Sequence, residues 1–136
     1  MIKPVDARMM SALDENAKSV SDWLAILEQR HPSAIDLGLE RVGEVADRLN
    51  LRQFPCPVIT VAGTNGKGST VATIVAIARA AGWRVASYTS PHLVHFHERI
   101  NCDGAFISDA DLVNSLDAIE AVRADTSLTY FEHTTL

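Results

Sequence analysis

The chain carries an apolar run, Val58-Ile-Thr-Val-Ala62, that empties into Gly63-Thr-Asn-Gly-Lys-Gly-Ser-Thr70. A glycine-rich turn with one lysine and flanking hydroxyls is suited to holding phosphate. Its successive backbone N–H groups, with the unsatisfied N–H groups of the helix that follows, face a polyanion, and the glycines let the chain approach it closely. Lys67 adds a mobile positive charge for the β- and γ-phosphates, and Ser69 or Thr70 offers a hydroxyl to a phosphate or to Mg²⁺. The widespread pattern G-x-x-x-x-G-K-[ST] would place glycine at Val61 and Ser or Thr at Gly68, and this chain departs from it at both positions. Those departures weigh against a generic GTPase or kinase. The plainer alternative, a tight strand-to-helix connection, leaves the lysine and the hydroxyls unused.

Positioning this loop requires a strand before it and a helix behind it. The pattern predicts a strand from Val58, a helix from about Lys67 to Ala81, Gly82 as its terminator, and a second strand over Arg84–Thr89. That βαβ unit implies a right-handed crossover and parallel strands, with the loop and the end of the second strand on one carboxyl edge of the sheet. Upstream, Ser19 can cap a helix whose Val20, Trp23, Leu24 and Leu27 share one face, and Pro32 ends it. Trp23 could stack on a ring, but its place on that stripe favours core packing. A second amphipathic segment follows Asp36, with Leu39, Val42, Ala46 and Leu49 on one side and Asn50 as C-cap. Downstream, Glu98–Cys102 and Ala105–Ser108 flank Asp103-Gly104, a two-residue hairpin signal. Ser108 then caps a helix to about Ala124, striped by Leu112, Leu116 and Ile119, and Thr129-Tyr-Phe-Glu132 has capping-box spacing.

The chain has 136 residues, 47% of them hydrophobic, which suits one folded globular domain. A formal net charge of −5, with no block of lysine and arginine, leaves no electrostatic footprint for nucleic acid or an anionic membrane. Cys56 and Cys102 lack metal or redox spacing and read as free thiols. His92, His95 and His97 lie close together, but their spacing matches no closed zinc site. With no transmembrane-length segment or secretory signal in view, a soluble cytoplasmic protein is expected. The last helix signal stands one turn from Leu136, and the sheet has only two parallel strands, so the chain is expected to be the front part of something longer.

The loop Gly63-Thr64-Asn65-Gly66-Lys67-Gly68-Ser69 resembles the ATP loop of the Mur ligase superfamily. Five motifs occur in the order found in bacterial bifunctional dihydrofolate synthase/folylpolyglutamate synthases. They are Ser33-Ala-Ile-Asp-Leu-Gly-Leu-Glu-Arg-Val42, Ala62-Gly-Thr-Asn-Gly-Lys-Gly-Ser-Thr70, Thr89-Ser-Pro-His-Leu-Val94, Glu98-Arg-Ile100 and Leu128-Thr-Tyr-Phe-Glu132. The resemblance implies an α/β fold with a P-loop parallel sheet, truncated, with residues 1–136 as the N-terminal part of an ATP-binding central domain. The rest of that domain and a C-terminal domain would lie elsewhere. It further implies a ligase that joins L-glutamate to 7,8-dihydropteroate or to a reduced folate, in a protein that works as a monomer. A carboxylate is a poor acyl donor. ATP would therefore convert it to an acyl phosphate, which the glutamate amine attacks through a tetrahedral intermediate.

By the same resemblance, Gly63, Thr64, Asn65, Gly66, Lys67, Gly68, Ser69 and Thr70 form the ATP loop, with Lys67 as the catalytic group on the terminal phosphates. Ser90 matches the Mg²⁺-binding serine, although Ser-Pro at a strand end also begins ordinary turns. Ala34, Ile35, Asp36 and Leu37 match one edge of the pteroate site, and Thr129, Tyr130, Phe131 and Glu132 match another. Read from the residues alone, Asp36 and Thr129 are helix caps, Glu132 is the return half of a capping box and Phe131 is core. The family's further Mg²⁺ ligands, a glutamate and a histidine, lie on segments this chain does not contain, so the chain alone is not expected to turn over. Two other readings stay open: a non-catalytic nucleotide- or pterin-binding module, and a generic P-loop phosphotransferase that Val61 and Gly68 disfavour.

Overall fold

A computed structural model describes residues 18–30 and 38–136, which fall into two compact units. One comprises the described residues up to Leu51 together with Val113–Leu136, and the other is Arg52–Leu112.

The first unit is helical. Helix α1 (Val20–Arg30) starts where Ser19 Oγ accepts the Asp22 N–H at 3.2 Å and the Asp22 carboxylate accepts the Ser19 N–H at 2.9 Å. It buries Trp23 and Leu27. Helix α2 (Glu40–Arg48) has Leu49 as its C-cap, one residue before the expected Asn50, and Asn50 follows in the left-handed region at φ 57°, where the chain leaves the helix. Helix α4 (Asp109–Arg123) opens on Ser108, whose Oγ accepts the Asp111 N–H at 3.1 Å, and turns Leu112, Leu116 and Ile119 inward. Helix α5 (Tyr130–Thr135) begins with a complete capping box between Thr129 and Glu132 and packs on α1. Val45, Ile119 and Leu128 form the buried centre, with Leu49, Val122 and Leu136 against it. The inward face of α2 therefore centres on Val45, and Leu39, expected on its apolar side, is 79% exposed. Leu39 precedes the first helical residue, so the helical period that would aim it inward does not extend to it.

Polar contacts tie these helices together. Trp23 Nε1 donates to Asp117 at 3.1 Å, and Arg30 and Arg123 both pair with Glu120, Arg123 first and burial opposing them, so that its carboxyl is held down to about 2. Arg48 donates to the Val122 and Arg123 carbonyls at 3.1 and 2.7 Å. These are C-terminal carbonyls of α4, and that of Arg123 also accepts the Thr126 N–H at 3.0 Å.

In the second unit, helix α3 (Lys67–Ala80) follows the glycine loop and reverses at Gly82, φ 81°. Strand β1 (Ala86–Tyr88) then packs on α3 and pairs antiparallel with β2 (Ile100–Cys102), which pairs antiparallel with β3 (Ala105–Phe106). A 3₁₀ turn over Phe96–Arg99 precedes β2, so Glu98 and Arg99, expected to open that strand, belong to the turn. The α/β class stands, but the expected parallel pairing does not form. Among the described residues, Val58–Ala62 joins no ladder, and Val58 and Ile59 are 60% and 68% exposed. A hairpin brings its own partner within a few residues, whereas a parallel strand needs one delivered by a long crossover.

The hairpin turn is the local anchor of this unit. Asp103 and Gly104 both have positive φ, 53° and 91°. The Asp103 carboxylate accepts the Val85 N–H at 2.7 Å and Arg84 Nε at 3.0 Å, contacts that hold it below the ordinary aspartate range. A Cβ on Gly104 would run into the Arg79 guanidinium. Gly104→Ala is expected to cost about 1–2 kcal/mol, mostly from the left-handed backbone. Urea denaturation measures this, and an unchanged midpoint would contradict it.

Candidate nucleotide site

The loop turns on two glycines. Gly63 has φ 151°, and Gly66 is the N-cap of α3 at φ 76°, ψ 2°, a conformation that side chains resist. Lys67 folds back over the loop and donates to the Gly63 carbonyl at 2.6 Å and the Thr64 carbonyl at 3.1 Å. Its ammonium is thus held against the backbone of the loop itself. The first helical hydrogen bond is Thr70 N–H to the Gly66 carbonyl at 2.9 Å, which leaves the N–H groups of Lys67, Gly68 and Ser69 without helical acceptors.

Helix α3 differs from its neighbours at this end. Acidic residues occupy the first turn of α1 (Asp22), α2 (Glu40), α4 (Asp109 and Asp111) and α5 (Glu132), whereas α3 has none, and Gly66 offers no side-chain cap. No acidic first-turn side chain or side-chain cap compensates the positive end of its dipole. The two candidate hydroxyls also separate. Thr70 Oγ1 donates to the Gly66 carbonyl at 2.9 Å, inside the helix, whereas the Ser69 hydroxyl has no hydrogen bond among the described residues.

Gly68 is informative because the protein does not need it. Added Cβ atoms at Gly66 and at Gly68 would meet nothing within 4 Å, and Gly68 has no unusual backbone angle. No contact among the described residues requires a glycine there.

Ser90 lies in the same unit, exposed, two residues beyond β1 and in a cis Ser90–Pro91 peptide. The chain reverses at Gly82, and β1, whose carboxyl end leads to Ser90, packs on α3. Ser69 and Ser90 are hard oxygen donors, and the Ser90 hydroxyl also has no hydrogen bond among the described residues. That donor set suits Mg²⁺ or Mn²⁺ completed by phosphate oxygens and water. Among the described residues no three His, Cys, Asp or Glu side chains cluster as a metal site, and this includes His92, His95 and His97. Cys56 and Cys102 are free and exposed.

The expected pteroate segments fare differently. Ala34, Ile35, Asp36 and Leu37 lie outside the described residues. Thr129 and Glu132 are buried and mutually bonded, with the Thr129 N–H donating to Glu132 at 2.8 Å and Arg41 Nη2 donating to the same carboxylate at 3.0 Å. Burial alone would raise the Glu132 carboxyl, but the Thr129 contacts and Arg41 outweigh it and hold it low. Phe131, core by apolarity alone, is 53% exposed and free to meet a ligand. The loop and Ser90 share one unit, and Thr129–Glu132 belong to the other.

No protein-family model matches the chain. It is 49% identical over 121 residues to the dihydrofolate synthase/folylpolyglutamate synthase of Escherichia coli strain K12, a match spanning 88% of this chain and 28% of that protein. Escherichia coli FolC, solved in complex with DHPP and ADP, superposes with a TM-score of 0.84 at 48% identity, over 88% of this chain and 29% of that one. This chain belongs to the dihydrofolate synthase/folylpolyglutamate synthase family. A family member solved with Mn, AMPPNP and L-glutamate gives a TM-score of 0.80 at 50% identity, over 87% of this chain and 28% of that chain. The family fold is the Mur ligase type, so the glycine loop, α3 and β1 are a piece of that α/β architecture. The chain spans roughly 28% of the length of the curated relative. Among the described residues no helix is long and apolar enough to cross a membrane.

Sequence reasoning missed the roles of Glu98 and Arg99. Glu98 accepts the N–H groups of Leu93, Val94 and His95 at 2.7, 2.8 and 2.7 Å, and these bonds hold its carboxyl down to about 2. The only available signal was a glutamate three residues after His95, which resembles a capping box only once the turn is known.

Proposed function

We propose that this chain supplies the nucleotide-binding part of an ATP-dependent ligase that joins L-glutamate to dihydropteroate or a reduced folate through an acyl phosphate. The observation that carries the reading is the uncompensated N-terminus of α3 behind a Gly63–Gly68 loop with Lys67 folded over it. ADP, AMPPNP, DHPP, Mn and L-glutamate in the solved relatives support the reactants.

The chain's part in the chemistry is electrostatic. Lys67, released from the Gly63 and Thr64 carbonyls, would follow the terminal phosphates, and the N–H groups of Lys67, Gly68 and Ser69 would take the oxygens facing the helix. Ser69 and Ser90 would hold a divalent ion, which when bound spreads the negative charge of the phosphates. Mg²⁺ is the ion we assign. Phe131 and Tyr130, with Ala34, Ile35, Asp36 and Leu37, would contact the pterin-bearing substrate. Thr129 and Glu132 would shape that edge rather than touch it, since their polar atoms are spent on the helix start and on Arg41. We assign residues 1–136 to the N-terminal part of the central domain of a cytoplasmic, monomeric enzyme, with no role for nucleic acid or membrane. Lacking a full metal-ligand set among its described residues, the chain alone would capture nucleotide without turnover.

Steady-state ADP release by the intact protein tests this. Release should require both a dihydropteroate or folate substrate and L-glutamate, and the 136-residue chain alone should show none. ADP release indifferent to both substrates would replace the reading with a generic phosphotransferase. Nucleotide binding without release would leave a non-catalytic binding module.

A further inference from the structure

We infer that Glu98 and Arg99 are positioning residues that fix the Ser90 turn and act on the metal through Ser90. This inference rests on the assignment of Ser90 to the metal.

Two neighbouring residues of one 3₁₀ turn hold the segment containing Ser90 on both sides. On the upstream side, the Thr89 N–H donates to the Arg99 carbonyl at 2.8 Å. On the downstream side, Arg99 Nε donates to His92 Nδ1 at 2.9 Å, and the Glu98 carboxylate takes the Leu93, Val94 and His95 N–H groups. Ser90 and Pro91 are thus the only residues between anchored positions Thr89 and His92.

The anchor itself is firm. Arg99 is 7% exposed and lies over the Phe96 ring, 5.2 Å from its centroid, while Phe96 is 4% exposed and its turn packs on β2 and β3. The His92 ring also meets Phe96, tilted by 60° with centroids 5.8 Å apart. By contrast, Leu93 and Val94 at the loop tip are 91% and 73% exposed and bury nothing that could order the segment. Without Glu98, three consecutive N–H groups would lose their acceptor and the loop would keep no apolar contact to replace it. A hydroxyl that ligates an ion needs its backbone held to a fraction of an ångström. The structure places that support in Glu98 and Arg99.

The test uses Mn²⁺ as probe, in the intact protein saturated with AMPPNP, with affinity read by electron paramagnetic resonance. ADP affinity without metal is measured alongside by calorimetry. Glu98→Gln keeps the size of the side chain but its amide cannot accept three N–H groups with both arms. It is expected to weaken Mn²⁺ about tenfold, the lower end for a residue supporting a ligand, while metal-free ADP affinity stays within about twofold. His92→Ala, a milder variant that removes the Arg99 and Phe96 contacts of His92 but leaves Glu98 in place, should shift Mn²⁺ affinity in the same direction. Ser90→Ala should weaken Mn²⁺ at least as much, and the Ser90→Ala/Glu98→Gln pair should lose no more than Ser90→Ala alone. If Ser90→Ala weakens Mn²⁺ but Glu98→Gln does not, or if the two losses add, the positioning role is overturned and the metal role of Ser90 survives. If Ser90→Ala leaves Mn²⁺ affinity unchanged, both fall.

Discussion

Replacing Lys67 with alanine is expected to lower ATP affinity roughly 100-fold or more, the equivalent of about 3 kcal/mol for two hydrogen bonds from a charged donor to phosphate. Calorimetry on the intact protein measures this, and unchanged binding would remove Lys67 from the phosphates. Lys67 also bonds the Gly63 and Thr64 carbonyls, so its loss alone does not separate ligand contact from loop support. Gly68→Ala makes the separation. Nothing lies within 4 Å of the Cβ it would add, and alanine is the better helix former by about 1 kcal/mol. The variant should therefore melt no lower than the parent, and slightly higher, yet bind ATP at least about tenfold more weakly because the methyl stands where a phosphate oxygen approaches. A variant that is both stable and fully competent would show that the loop does not approach phosphate at this residue.

Acid should weaken the helical unit before it protonates that unit's paired carboxylates. His133 is completely buried beside Trp23, ring centroids 5.9 Å apart, and neither ring nitrogen makes a well-formed hydrogen bond among the described residues. Burial, helped by nearby Arg30, pushes its imidazole down to about 4, with Glu120 and the Leu116 carbonyl opposing weakly. Above pH 6.5 the imidazole is neutral in both the folded and unfolded chain and contributes no pH dependence. Between 6.5 and 4 only the unfolded chain takes up the proton, so stability falls with pH, by about 3 kcal/mol over the window. Glu120 is held down to about 2, so the stability its pairing supplies is lost only below 4.5. Urea denaturation of the parent and of His133→Phe across this range should show a slope that only the parent has. Equal slopes would contradict the account.

What could be read in the sequence was mostly local. Ser19, Ser108 and the Thr129–Glu132 pair cap helices by contacts within three residues, and Asp103-Gly104 closes its hairpin without outside help. Trp23 announced itself as core by sharing a helical stripe with Leu27, and both are buried. The glycine turn and the helix start at Lys67 were legible for the same reason, since Gly63 and Gly66 carry the positive φ angles within the turn itself. What escaped depends on distant partners. Val58–Ala62 has the composition of a strand but pairs with nothing among the described residues, and composition does not supply a neighbour. Phe131 is apolar yet exposed, Leu39 falls just outside its helix, and the support of Glu98 for the Ser90 segment depends on a turn that no periodicity marks.

The most direct test of the central claim follows oxygen rather than protein. With a pteroate or folate substrate carrying heavy oxygen in its reacting carboxylate, the intact protein should release phosphate containing one labelled atom for each amide bond formed. An acyl phosphate leaves that oxygen on phosphorus when the glutamate amine displaces it. Amide formation with unlabelled phosphate would contradict the acyl phosphate, and with it the role assigned to the Gly63–Thr70 loop.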